Sequence, residues 1–323
     1  MYKLNDIKSL HLEITSRCQA SCPMCVRNIQ GGLDNPYLIL NEITLEQFKE
    51  WFPQNFIKQL DKFYMCGNTG DPIVARDTLD IYKYIRQTNP EIHLSMNTNA
   101  SARNKDWWNE LSKVNVIVRF GIDGLADTHE LYRIGTNWNK IIENANSFIQ
   151  SGGYAIWDML IFQHNLHQVE SCEQLSKKLG FKQFVSKNTS RFKNDRHIVL
   201  DCNSKVSHII YPSLKSKNIT KLIEESDKHI INCKVKKEKS LYVNAHGVVN
   251  PCCWLDFAGV TPTSTSMIDY QNKITPFDLK TTTLEEIFNT NFFEQIEDTW
   301  ENDPLLQCKK QCGKLDRFNE QFK

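Results

Sequence analysis

The sequence predicts an α/β fold: a partial (βα)6 barrel of TIM type, followed by a small C-terminal domain of a β-hairpin and helices. Three observations carry this reading. Short apolar runs of period two alternate with stretches of helical periodicity through residues 1–200. Polar and glycine-bearing segments follow the predicted strands, where barrels of this kind carry their working loops. From Cys233 onward the pattern becomes a hairpin framed by cysteines. The expected boundaries are 1–200 for the barrel, 201–232 for a connector and 233–323 for the small domain.

Each element has its own signal. Leu10 to Thr15 alternates apolar and polar side chains and reads as the first strand. A helix starts at Thr44, which with Gln47 forms a capping box ahead of Leu45, Phe48 and Phe52. Lys62 to Cys66 is the second strand, and Asp77 caps a helix bearing Leu79, Tyr82 and Ile85. Ile92 to Met96 is the third strand, followed by a short helix around Trp107 to Leu111. Val116 to Ile122 is the fourth, followed by a helix with Trp138, Ile141, Ala145 and Phe148 that Gly152 and Gly153 close. Tyr154 to Phe162 is the fifth, then a helix lined by Val169, Cys172, Leu175 and Leu179 that ends at Gly180. Phe181 to Val185 is the sixth. Strand–helix repetition of this kind implies parallel strands joined by right-handed crossovers. From about residue 190 to 232 the pattern weakens to a connector and a helix over about Ile219 to Ile231.

Composition narrows the function classes. The chain carries 39 Lys and Arg against 38 Asp and Glu, so no net field draws it to a nucleic-acid backbone. The run Lys234, Lys236, Lys237 and Lys239 reads as a solvated face. No segment approaches the roughly 20 apolar residues that cross a bilayer, and the first residues lack the apolar run of a signal peptide. The expectation is a cytoplasmic protein without a membrane partner. In that reducing compartment clustered members of the eleven cysteines read as ligands rather than disulfides. The sequence is silent on oligomeric state and on substrate identity.

The first cluster is Cys18-x3-Cys22-x2-Cys25, directly past strand one. Three thiolates on one loop hold three corners of an iron–sulfur cubane and leave the fourth iron open. A structural zinc ion wants four ligands, and no nearby histidine supplies the fourth. Placed at the opening of a βα barrel, the motif resembles the signature of the radical S-adenosylmethionine (SAM) superfamily. The resemblance implies a [4Fe–4S] cluster with an open iron on Cys18, Cys22 and Cys25, with SAM bound to it. It implies reductive cleavage of SAM to a 5′-deoxyadenosyl radical that takes hydrogen from a substrate carbon, hence an oxidoreductase served by a reductant such as flavodoxin or ferredoxin. The residue before the last cysteine is often aromatic in the family and is Met24 here, with an effect expected on packing around the adenine.

The resemblance extends to the loops that hold SAM. Gly67-Asn-Thr-Gly70-Asp71-Pro72 looks like the family's Gly-Gly-Glu-Pro loop, in which carbonyls and a carboxylate receive the methionine ammonium; Asp71 stands for the Glu. By itself Gly-Asp-Pro is also good turn chemistry. Asn97, Thr98 and Asn99 end strand three, where the family often has groups near the ribose, and an Asx turn is the competing reading. Asp123-Gly124 followed by His129-x3-Arg133 resembles a stretch whose arginine serves the SAM carboxylate; a solvated arginine is the alternative. The expected cofactor contacts are Gly67, Gly70, Asp71, Asn97, Asn99, Asp123 and Arg133. Gln163 and His164 after strand five, and Arg191 after strand six, are the candidates for a substrate cavity.

Cys233-x13-Gly247-x4-Cys252 spans a predicted hairpin, Tyr242-Val243 turning back into Val248-Val249. It resembles the opening of the family's auxiliary-cluster domains, called SPASM or, in the shorter form, twitch. Cys308-x3-Cys312 adds two thiols. The resemblance implies a second [4Fe–4S] cluster on Cys233, Cys252, Cys308 and Cys312, the thiol supply of the twitch form. Cys253 leaves an ambiguity, since adjacent residues of a strand point oppositely. A four-thiolate zinc knot competes. The implied net reaction is an oxidation or cross-link of a small molecule or a peptide of the sulfatase or ribosomal-peptide type. An iron–sulfur electron carrier and a zinc-stabilised binding protein are the readings from other classes.

Overall fold

The computed structural model describes residues 2–192, 194–213 and 230–314. Six strands form a parallel sheet in chain order: β1 Ser9–Leu12, β2 Lys62–Met65, β3 His93–Thr98, β4 Val116–Gly121, β5 Tyr154–Ile161 and β6 Gln183–Asn188. Among the described residues the sheet does not close, so the barrel is open. Along the strands one set of side chains, such as Leu10, Leu12, Phe63, Met65, Val116, Val118 and Phe120, is fully buried against the helices. The alternate set, with His11, Tyr64, Ser95 and Arg119, forms the inner face. Trp108, Phe120, Phe148 and Phe181 interlock at centroid distances of 5.4 to 6.1 Å and bind two crossover helices to β4.

The helices α1 Leu45–Trp51 and α2 Gln54–Gln59 follow β1, with Thr44 and Gln47 in the expected capping box. Asp77 stands at the head of α3 Thr78–Thr88, but its side chain makes no cap bond. Its carboxylate accepts from the Leu45 N–H at 2.9 Å and pairs with Arg76 at 2.8 Å, tying α1 to α3. Helices α4 Lys105–Lys113, α5 His129–Tyr132, α6 Trp138–Gln150 and α7 Val169–Leu179 complete the crossovers, and Gly180 ends α7 with φ +90°.

Strands β3 and β6 run further than the apolar runs alone suggest. Ladder bonds to β4 carry β3 to Thr98, and pairing with β5 carries β6 to Asn188. Asn97 and Thr98 are therefore strand residues rather than turn residues. An unforeseen antiparallel hairpin, β7 His197–Leu200 and β8 Val206–Ile210, follows β6.

The expected helix over Ile219 to Ile231 lies largely outside the described residues. Its last two residues form a short strand, β9 Ile230–Ile231, because they pair with β13 Gly313–Lys314. The hairpin β10 Ser240–Val243 and β11 Val248–Asn250 forms as expected. It also extends the main sheet: β10 lies parallel to β1, and β12 Phe277–Asp278 pairs with β11. The sheet thus has nine strands, and one continuous core runs from the barrel into the C-terminal helices. Those helices are α8 Lys234–Lys237, α9 Thr265–Lys273, α10 Leu284–Phe288, α11 Phe292–Asn302 and α12 Leu306–Cys312.

Candidate active site and auxiliary thiol cavity

The loop after β1 carries Cys18, Cys22 and Cys25, all partly exposed and none in a disulfide. Its turn is set by the Cys25 N–H donating to the Cys22 carbonyl at 2.9 Å. The Sγ of Cys18 accepts from the Ala20 N–H at 3.4 Å and from Asn99 Nδ2 at 3.4 Å, so the end of β3 touches the thiol loop. Burial pushes the Cys18 thiol up to about 12 and the Cys22 thiol to about 11, with Arg133 opposing the rise at Cys22. Three half-buried thiols near Arg27, Arg133 and Arg191 suit a positively charged iron centre, which reverses that cost by taking the thiolates as ligands.

Arg27, which sequence reading passed over, stitches this loop to its neighbour. Its guanidinium donates to the carbonyls of Ser16, Thr69 (3.1 Å) and Cys18 (3.3 Å). Its place two residues past the last cysteine is the signal that could have found it.

The 67–72 segment lies against β1. A Cβ on Gly67 would sit 1.9 Å from the Gly70 carbonyl, and one on Gly70 1.8 Å from the Thr15 carbonyl. Only glycine fits at either position. Asp71 is buried, and its Oδ1 accepts from Thr98 Oγ1 at 2.7 Å while Oδ2 accepts from the Asn99 N–H at 2.7 Å. It joins the loop to the end of β3. Asn97 points to the inner face and donates to Cys66 Sγ at 3.3 Å.

Past β4, Asp123 is fully buried and holds Arg133 through Nε at 2.6 Å. Burial raises the Asp123 carboxyl against the pull of Arg133. Burial would lower Arg133, but the charges of Asp123 and Cys22 outweigh it and keep the guanidinium charged.

An open cavity of about 1310 Å³ adjoins the thiol loop, with Met24, Cys25, Gln163, Arg191, His197 and Tyr211 in its wall. Gln163 and Arg191 line this one cavity, and Arg191 donates to the Met24 carbonyl at 3.4 Å. His164 is not among the lining residues; it stacks on Phe162 at 5.2 Å, and burial lowers it to about 4. The β7–β8 hairpin forms one side. Its Val199 and Ile210 pack with Phe162, Phe192 and Tyr132 in a small core that Cys22 and Met24 abut.

The second thiol site lies between β9, the segment after β11 and α12. Cys233, Cys252, Cys308 and Cys312 line one cavity of about 150 Å³, walled by Trp254, Leu255, Ile296 and Trp300. Cys253 is not in that wall; burial and the charges of Cys252, Cys66 and Glu13 raise its thiol. A hydrogen bond from the Cys312 thiol, aided by the Val235 and Lys236 N–H groups, pulls Cys233 down to about 6, while burial raises Cys252 to about 11. Among the described residues no set of His, Cys, Asp or Glu is gathered for a lone metal ion. Four thiols around an apolar cavity suit a cubane more than a zinc ion held at about 2.3 Å.

An open parallel barrel with a thiol trio at its mouth and a second thiol cavity behind defines an iron–sulfur α/β protein. The chain belongs to the radical SAM superfamily: that family's model matches residues 12–174, and residues 233–313 match the SPASM model, described as an iron–sulfur cluster-binding domain. A core [4Fe–4S] cluster, SAM and auxiliary iron–sulfur follow from that membership. Among solved structures, anSMEcpe with bound AdoMet is 17% identical, with 91% of this chain and 81% of that one covered and a TM-score of 0.59. SuiB of Streptococcus suis bound to S-adenosylmethionine is 14% identical, with 93% and 67% covered and a TM-score of 0.57. Native anSMEcpe with AdoMet and the Cp18Cys peptide is 18% identical, with 94% and 88% covered and a TM-score of 0.56. At these identities the likeness is one of fold. No curated protein matches the chain. Among the described residues no helix is long and apolar enough to cross a membrane.

Proposed function

We propose that this chain is a radical SAM oxidoreductase acting on a peptide, with Cys18, Cys22 and Cys25 holding the core cluster. The observation that carries the reading is the placement of this trio at the strand ends beside a cavity of about 1310 Å³. Pockets for small ligands fall at roughly 300–1000 Å³, so the space has room for a chain segment. Peptides in the anSMEcpe and SuiB structures are consistent with that choice.

When bound, the reduced cluster and SAM supply a 5′-deoxyadenosyl radical that abstracts hydrogen from a substrate carbon. The chain's own part is binding, orientation and exclusion of water. Arg133, fixed by Asp123, takes the SAM carboxylate. The carbonyls of the 67–72 loop and Asp71 take the ammonium, and Asn97 and Asn99 sit toward the ribose. Gln163 and Arg191 present polar groups to the peptide, with His164 behind them.

Cys233, Cys252, Cys308 and Cys312 hold one auxiliary cluster in a domain spanning 233–323. Full thiolate ligation suits an electron acceptor that makes the net reaction an oxidation or cross-link. A flavodoxin or ferredoxin supplies the first electron.

The test is anaerobic. Reconstituted, reduced protein should convert SAM to 5′-deoxyadenosine, and Cys22→Ala should abolish this. A candidate peptide deuterated at the target carbon should pass its label into that product. No 5′-deoxyadenosine from a protein carrying full iron sinks the proposal.

A further inference from the structure

Glu13, Tyr242 and Asp256 are brought together from β1, β10 and the segment after β11. The Oη of Tyr242 lies 2.7 Å from Glu13 Oε1 and 2.6 Å from Asp256 Oδ2. A phenol has one proton to donate, and both neighbours are carboxyl oxygens. If both carboxyls are ionised, one of these two contacts is an oxygen pair with no hydrogen between. Such a buried pair is strongly repulsive. The other lone pairs of Glu13, and both of those on Asp256 Oδ1, are already used. Glu13 accepts from the Asn68 N–H at 2.7 Å, the Thr69 N–H at 3.3 Å and Thr69 Oγ1 at 3.1 Å. Asp256 accepts from Asn244 Nδ2 at 2.9 Å and the Ala258 N–H at 3.2 Å.

We propose that Glu13 and Asp256 share one extra proton through Tyr242, and that Tyr242 is thereby the positioning residue through which the auxiliary hairpin holds the 67–72 loop in its SAM-binding shape. This rests on the reading of that loop given above. Glu13 is the only side chain in the trio that grips the loop, through Asn68 and Thr69, and it is itself gripped from β10. The loop's shape is therefore set jointly by the barrel and by the auxiliary hairpin.

The groups facing Glu13 are His11 on its own strand, Cys66 past β2, Tyr242 on β10, and Cys253 and Asp256 past β11. His11, lowered to about 4 by burial, is neutral at pH 7. Burial, then the charge of Asp256, raises Glu13 to about 7. Below that pH the shared proton is in place. Above it the trio becomes doubly charged: the Asn68 and Thr69 hydrogen bonds, which favour the ionised carboxylate, tighten on Glu13, and it is the hold of Tyr242 and Asp256 on Glu13 that gives way, so the loop is uncoupled from the auxiliary hairpin.

Two measurements on the reconstituted holoenzyme test this. Infrared spectroscopy should show a protonated-carboxyl carbonyl band near pH 6 that fades toward about pH 8 and is missing in Glu13→Gln. SAM affinity should fall several-fold over the same range, and Glu13→Gln, which has no proton to titrate, should flatten that profile. Tyr242→Phe should weaken SAM roughly tenfold, one hydrogen bond's worth, at unchanged iron content. If Tyr242→Phe fails to take up iron, the Glu13→Gln arms decide. Absence of the band, or a Glu13→Gln profile that still falls like wild type, overturns the proposal. A wild type that shows the band but binds no SAM at any pH overturns the functional reading and the positioning role together, while the shared proton stands.

Discussion

Arg133 meets Asp123 edge-on, Nε to Oδ2 at 2.6 Å, so its two Nη groups are not taken up by that carboxylate. Asp123 is locked in turn by the Leu160 N–H, which donates to Oδ1 at 2.6 Å. Gly121 leaves the room: a Cβ there would stand 2.8 Å from Nη2. The fork is thus aimed before any ligand arrives, the condition under which an arginine gives the most toward a carboxylate.

Loss of that aim should show in SAM binding. Asp123→Asn keeps the shape but removes the charge that orients Arg133, and Arg133→Lys removes the fork. Charge-assisted hydrogen bonds are worth about 1.5–3 kcal/mol, so SAM affinity should fall roughly ten- to a hundredfold in either variant, with iron content unchanged. Equilibrium binding to the reconstituted protein measures it. Wild-type affinity in Arg133→Lys would place the carboxylate elsewhere.

Gly70 makes a sharper demand. Its missing side chain is where the Thr15 carbonyl passes, 1.8 Å from a built Cβ. Both contacting groups are backbone, so no rotamer change relieves the clash. Gly70→Ala must move the loop away from β1 and take Asp71 with it. The expected outcome is loss of SAM binding, with thermal stability lowered by about 1–3 kcal/mol. A variant that melts and binds SAM like wild type would show that the loop tolerates other shapes.

Local pattern made much of this legible. The period-two runs located all six barrel strands; in the first five the core-facing residues are buried against helices, while β6 has none buried. The hairpin Tyr242–Val249 was legible from its turn and flanking apolar pairs. Partnership between distant segments was not. That β10 pairs with β1 is a contact across some 230 residues of sequence, and nothing in either strand names the other. The ends of β3 and β6 were underestimated for the same reason: their neighbours' ladders, not their own apolar runs, extend them. The β7–β8 hairpin was missed because its exposed strands alternate weakly. In the sites, thiol spacing found the cysteines, while supports such as Arg27, Glu13 and Tyr242 emerged only once the chain was folded. An inward glutamate on a buried strand was the one trace of them.

The β7–β8 hairpin should act on substrate rather than on SAM. His197 Nε2 lies 3.1 Å from the Pro23 carbonyl, and the Leu200 N–H donates to the Gln30 carbonyl at 2.9 Å, so the hairpin braces the thiol loop while walling the cavity. Arg191 is exposed on the same wall, and among the described residues its guanidinium makes one long 3.4 Å bond, to the Met24 carbonyl. Arg191→Ala should raise the peptide KM by roughly tenfold, about one charged hydrogen bond, and leave SAM binding and iron content intact. Steady-state kinetics over a peptide series checks this; an unchanged KM would move recognition away from this wall.

Cys252 and Cys253 are neighbours in sequence that the fold places differently. Cys252 enters the cavity with Cys233, Cys308 and Cys312, while Cys253 is not in its wall. The two alanine variants should therefore part company. Cys252→Ala should lose the auxiliary cluster, about four irons per chain. Because bound metal contributes to folding where its ligands bridge distant segments, the same variant should loosen the β9–β13 pairing that flanks Cys233 and Cys312. Faster amide exchange at Asn232, whose N–H donates to the Cys312 carbonyl at 3.0 Å, would report it. Cys253→Ala should keep full iron and normal exchange, since its side chain touches neither. Iron and sulfide analysis on both variants decides the matter. If Cys253→Ala loses the cluster and Cys252→Ala keeps it, the ligand assignment is reversed, and the segment after β11 must turn over when iron binds.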